Sequence, residues 1–144
     1  MILPLFFLNI YEIMEIESLL FCFFETSKTE GVFEKEKLTK ESICKLKKRE
    51  FLKTDELFNL LECSTLVLEG LEQYCNCEEA DLLITKRAIF KLLSIHFEFL
   101  KDDDIVNNMP LLNHIYKRIK PSASKIIDSE KDKNVVDYLE LLNI

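Results

Sequence analysis

Residues 57–71 read Leu57-Phe58-Asn59-Leu60-Leu61-Glu62-Cys63-Ser64-Thr65-Leu66-Val67-Leu68-Glu69-Gly70-Leu71, and the spacing of their apolar positions decides the fold. Leu57, Leu60, Leu61, Leu68 and Leu71 follow one another in steps that return to one face of a 3.6-residue helix. Leu66 and Val67 widen that stripe, so this helix should touch more than one neighbour. Thr54-Asp55-Glu56 lies just ahead, with Thr54 as the expected N-cap and two acids in the first turn, where the helix dipole favours negative charge.

The same spacing extends in both directions. Downstream, after a break at Asn76-Cys77-Glu78-Glu79, residues 80–100 carry Leu82, Leu83, Ile89, Leu92, Leu93, Phe97 and Leu100, with Lys86, Arg87 and Lys91 as a small wet face. Asp102, Asp103 and Asp104 are N-cap candidates for a short helix. Pro110 suits the first turn of the next, whose apolar positions are Leu111, Leu112, Ile115 and Ile119. Pro121 stops it, and residues 134–144 close the chain with Val135, Tyr138, Leu139 and Leu142 on one side. Upstream, residues 5–25 predict a helix apolar around most of its circumference, and Thr39 to Phe51 predicts an amphipathic one with a basic outer face. Residues 26–37 between them are the candidate internal loop.

Only two glycines and three prolines occur in 144 residues. Hairpin-rich β architectures need turn residues that tolerate positive φ, so they are excluded. The expectation is one all-α domain over 1–144 with six to seven helices. Leu57-Phe58-Asn59-Leu60-Leu61 and Ile89-Phe90-Lys91-Leu92-Leu93 share an apolar-Phe-polar-Leu-Leu pattern 32 positions apart, a spacing in the range of helical repeats. In this and in its leucine-rich make-up the chain resembles helical-repeat proteins of the armadillo or HEAT kind. That resemblance implies a helical array; an irregular helical bundle is the other architecture the pattern allows.

Charge narrows the functions. The chain carries −7, yet residues 35–53 carry eight cations against Glu36, Glu41 and Glu50, a balance of +5 that leaves −12 elsewhere. An acidic body argues against general phosphate-backbone binding. The basic patch at 35–53 contains one aromatic, Phe51, and so lacks a base-stacking platform. The five cysteines, Cys22, Cys44, Cys63, Cys75 and Cys77, are odd in number and irregular in spacing. They read as reduced, buried thiols of a cytoplasmic or nuclear protein. The apolar start, Met1 to Tyr11, has no preceding cation and is interrupted by Glu12, Glu15 and Glu17. That is too short for a membrane span and lacks the basic end of a signal peptide.

No chemistry-bearing motif stands out. Cys75-Asn76-Cys77 is too closely spaced for a structural zinc pair, and no second pair follows. Asp102-Asp103-Asp104 is contiguous where an EF-hand alternates its ligands, so capping is the expectation. Gly31 and Gly70 are too far apart to cradle a phosphate. His96, between Ile95 and Phe97, reads as a satisfied core or groove histidine. His114 has no nucleophile at motif spacing.

The expected function is therefore a non-enzymatic interaction module or adaptor in a multiprotein complex. It would bind another protein through exposed apolar helix faces and use no cofactor or metal. Phe90, Phe97 and Phe99, with Phe6 and Phe7 at the N-terminus, are the candidate contacts. The alternative is a groove-binding bundle, like the apoptosis regulators, that captures a partner's amphipathic helix. An enzyme using His96 or His114 comes third.

Overall fold

Residues 8–26 and 32–143 are described by a computed structural model, without the side chains of 22, 23, 25, 26 and 32–34. Their helices are α1 (Ile10–Thr26), α2 (Val32–Lys47), α3 (Thr54–Tyr74), α4 (Glu79–His96), α5 (Asp102–Asn107), α6 (Met109–Ile119), α7 (Ala123–Ile126) and α8 (Glu130–Leu142). Short 3₁₀ turns at Phe97–Phe99 and Lys120–Ser122 join α4 to α5 and α6 to α7. The fold is all-α, and no helix among the described residues is long and apolar enough to cross a membrane.

α4 organises the molecule. It packs against α1 and α3 on one side and against α6, α7 and α8 on the other. Its residues Ala88, Ile89, Phe90, Leu92, Leu93, Ser94, Ile95 and His96 are all buried, so the helix has no outward face over its last two turns except at Lys91. A helix apolar on every side is stable only where neighbours surround it. The result is a bundle built round α4. The echo between residues 57–61 and 89–93 follows from two neighbouring core helices, α3 and α4, each turning leucines and a phenylalanine inward.

The helix ends depart from the expected caps. Thr54 is the first residue of α3, and Lys53 is the N-cap. Glu56 reaches back to accept the Lys53 N–H at 2.9 Å and takes Lys45 Nζ at 2.7 Å, tying the end of α2 to the start of α3. Burial pushes the Glu56 carboxyl up, but the Lys45 ammonium and the Lys53 N–H outweigh it and hold the group below its ordinary range. α5 begins likewise, with Asp104 accepting the Lys101 N–H at 3.0 Å, so the aspartates sit inside the first turn. α1 is capped reciprocally by Asn9 and Glu12, each side chain accepting the other's backbone N–H.

Two boundaries also differ from the sequence reading. α2 starts at Val32, so the second half of 26–37 is helical and only residues outside the description, 27–31, separate it from α1. α8 starts at Glu130, a turn before Asn134, because Ser129 caps it by accepting the Asp132 N–H.

α2 ends in a left-handed cap with an unusual occupant. Arg49 has φ 63°, Arg49 N–H donates to the Leu46 carbonyl and Glu50 N–H to the Lys45 carbonyl, which is the Schellman pattern. Glycine normally stands there. Here the guanidinium donates to the Leu8 carbonyl, fixing the entry to α1 against the α2–α3 corner.

Candidate functional site

A cavity lies between the C-terminal half of α1 and the length of α2. It is an open groove of about 610 Å³, a volume typical of ligand pockets. Leu20, Phe24 and Ile43 form its apolar floor. On the α2 wall stand Lys40, Cys44 and Lys47, spaced i, i+4 and i+7 and therefore one above another. On the α1 wall stand Glu17, Ser18 and Phe21. Two ion pairs bracket the groove: Lys47–Glu17 at 2.7 Å bridges the walls, and Lys40–Glu36 at 3.3 Å lies along α2.

Phe21 is 63% exposed and does not end at the rim. Continuing up α1, Met14 is 51% and Ile10 is 46% exposed. Ile10, Met14, Glu17, Phe21 and Phe24 follow in steps of four, three, four and three, the 3.5-residue repeat of a helix–helix seam. The inward face of the same helix uses Ile13, Ile16, Leu19 and Leu20, all buried. α1 thus carries two apolar stripes. One is spent on α3 and α4; the other runs outward into the groove.

The residues singled out from sequence are scattered over other parts of the molecule. Phe90 is fully buried and belongs to the core, which corrects its place among the contact residues: no part of its ring is left for a partner. Phe97 is half-buried, edge-on to Tyr138 at 5.2 Å between ring centroids. Phe99 is 61% exposed and tilted against Phe51 at 5.0 Å, a small aromatic patch beside the α2–α3 connection. Phe6 and Phe7 lie outside the described residues.

Cys44, Cys63, Cys75 and Cys77 are free, but of these four only Cys63 is buried, and the side chain of Cys22 lies outside the description. Cys44 faces the groove, Cys75 is exposed and Cys77 half-buried, because the last two follow the end of α3 beyond its packed face. Among the described residues no group of three or more His, Cys, Asp or Glu side chains could hold a metal ion.

Both histidines are engaged in contacts within the fold. His96 is buried, its Nε2 accepts the Leu52 N–H at 3.0 Å, and its Nδ1 lies 2.9 Å from the Leu92 carbonyl. The Leu52 donor fixes Nε2 as the acceptor and so puts the proton on Nδ1. Burial pulls its pKa below the ordinary value, the Leu92 carbonyl works against that shift, and the charge on Lys131 reinforces it. His114 meets Glu69 at 3.1 Å, and Arg118 bridges Glu69 and Glu72 at 3.1 and 3.3 Å, tying α6 to α3. Neither histidine lines the groove or the second large cavity, about 400 Å³ beside Tyr11, Ile84 and Arg87.

No protein-family model, curated protein or solved structure matches the chain. The groove and the outward stripe of α1 therefore carry the functional reading.

Proposed function

We propose that the chain is a non-enzymatic protein-interaction module, in the manner of an adaptor, that holds a helix of another protein along α1 and in the α1–α2 groove. The observation that carries this reading is the second stripe of α1. Ile10, Met14 and Phe21 are each roughly half exposed or more and share one face, at the repeat that helices use to seat against one another. Leaving three large apolar side chains in water forgoes about 25 cal/mol for each Å² that could be covered. Isolated exposed apolar residues are ordinary, but an aligned row opening into a groove is a surface that recovers that energy on docking.

The test is selection of helical peptides against the folded chain, followed by binding of the selected peptides to the Phe21→Asp and Met14→Asp variants. Binding should fall at least about tenfold in each, the equivalent of about 1.4 kcal/mol, while thermal melting stays within a few degrees because both side chains are already exposed. Peptides that bind the variants as well as the parent chain would remove the reading.

A further inference from the structure

Resting on that reading, we infer the chemistry of the partner: an amphipathic helix with an apolar ridge at three- and four-residue spacing and an acidic flank, laid along α1 with that flank against α2. Length comes first. From Ile10 to Phe24 the stripe rises through fourteen residue steps, about 21 Å or about four turns at 1.5 Å per residue. A partner helix of that length places one ridge residue per turn, and the last turns drop into the 610 Å³ groove over Leu20, Phe24 and Ile43.

Charge then sets the flank. α1 carries Glu12, Glu15, Glu17 and Glu25 and no cation, whereas the stretch 35–53 is the basic part of an otherwise acidic chain. Lys40 and Lys47 rise from the α2 wall of the groove itself. Their present ion pairs are reached by solvent: the Lys40 side chain is largely in water and its partner Glu36 about a third so, while Lys47 and Glu17 are both nearly half so. Such pairs are worth little and exchange readily. Carboxylates on a docked helix would therefore compete with Glu36 and Glu17 for two cations that these hold only weakly. A basic flank would meet those cations as like charges. Nucleic acid fits the same wall less well, because Leu20 and Ile43 share the groove floor with Phe24, and among the described residues Phe21 and Phe24 alone offer rings there.

The experiment uses three labelled helical peptides about four turns long, identical in their apolar ridge and differing only in flank residues, Glu, Gln or Lys. Each is titrated with the full chain by fluorescence anisotropy at low and at physiological salt. The Glu peptide should bind about fivefold more tightly than the Gln peptide at low salt, from two rim pairs of modest strength, and the Lys peptide most weakly. The spread should shrink as salt rises. The double variant Lys40→Glu, Lys47→Glu should reverse the ranking, while Lys40→Gln, Lys47→Gln should flatten it. Bound Glu peptide should slow alkylation of Cys44 and leave Cys75 and Cys77 unchanged, since only Cys44 lines the groove.

Equal affinities, or a preference for Lys, would overturn the acidic flank while leaving the groove reading intact. Failure of all three peptides to bind would remove the groove reading itself. Two other occupants would also overturn the inference. One is a second copy, seen as dimerisation in sedimentation that Phe21→Asp abolishes; the other is a single-stranded oligonucleotide that protects Cys44 where the peptides do not.

Discussion

Acid should weaken this fold through one side chain, His96. The Leu52 N–H points at Nε2 in a buried position, so that nitrogen cannot keep its present partner once it carries a proton. Protonation sets one donor against another and places a charge among Leu52, the Leu92 carbonyl and the Phe51 ring, whose centroid is 5.5 Å away, with Lys131 adding like charge. The folded pKa therefore lies below the ordinary value of 6.5, which the unfolded chain keeps. Between the two values the unfolded state binds more protons, so stability rises with pH; it is complete above about 6.5 and drains away as pH falls. One unit below 6.5 the loss can reach about 1.4 kcal/mol, the limit for a group that stays neutral while folded. Urea unfolding at about pH 7.5 and about pH 5.5 reads that difference directly. His96→Gln, whose amide oxygen can still accept from Leu52, should cost stability at neutral pH but flatten the slope, while His114→Gln keeps it. A parent chain equally stable at both pH values would refute the reasoning, as would a slope that survives in His96→Gln.

Other perturbations separate core from surface. Phe90→Ala should destabilise by about 3–5 kcal/mol through the cavity it leaves in a fully packed site, whereas Phe99→Ala should cost under about 1 kcal/mol; chemical denaturation distinguishes them. Asp132, buried and bonded to Ser94 at 2.8 Å and Lys91 at 3.1 Å, holds α8 to α4, and Asp132→Ala should cost about 3 kcal/mol in the same assay. Arg49→Gly should be more stable than Arg49→Ala by about 1 kcal/mol, since both lose the Leu8 tether but only glycine accepts the left-handed backbone without strain. Cys63 should resist alkylation until the chain unfolds, because burial shields its thiol and pushes its pKa up, while Cys44 and Cys75 react in the folded protein; peptide mapping after labelling reads this.

The helices were legible because each buries a face at the period of its own geometry. Leu57, Leu60, Leu61 and Leu68 of α3 and Leu112, Ile115 and Ile119 of α6 are buried as their spacing requires. The arrangement was less so. An array and a bundle ask the same periodicity of each helix, and what distinguishes them, the burial of α4 on all sides, depends on which helices meet it. Caps misled where a chemically apt residue stood one place from the true boundary: Thr54 could cap α3, but Glu56 already serves the end by reaching back to Lys53. Phe90 misled for a related reason. Phenylalanine count suggests surplus apolar area, yet the ring best placed to fill the middle of the molecule is the one least able to meet a partner.

The outward stripe shows why a proposed interaction surface is harder to read than a core. Ile13, Ile16 and Leu20 satisfy the core pattern of α1 by themselves, and Ile10, Met14 and Phe21 then look like a widening of the same greasy circumference. Only geometry separates them, because α2, α3 and α4 pack against α1 while Ile10, Met14 and Phe21 stay exposed. One signal was present in the letters: two interleaved apolar series on a single helix, the outer one broken by Glu17, an acid that burial between helices would exclude unless paired. Lys47 supplies that pair from α2 at 2.7 Å, which makes the exposed stripe and the basic wall parts of one surface. A charged residue in the middle of an apolar series, matched by a cation on the next helix, thus marks where α1 stops building its own core, the face on which we propose that another chain docks.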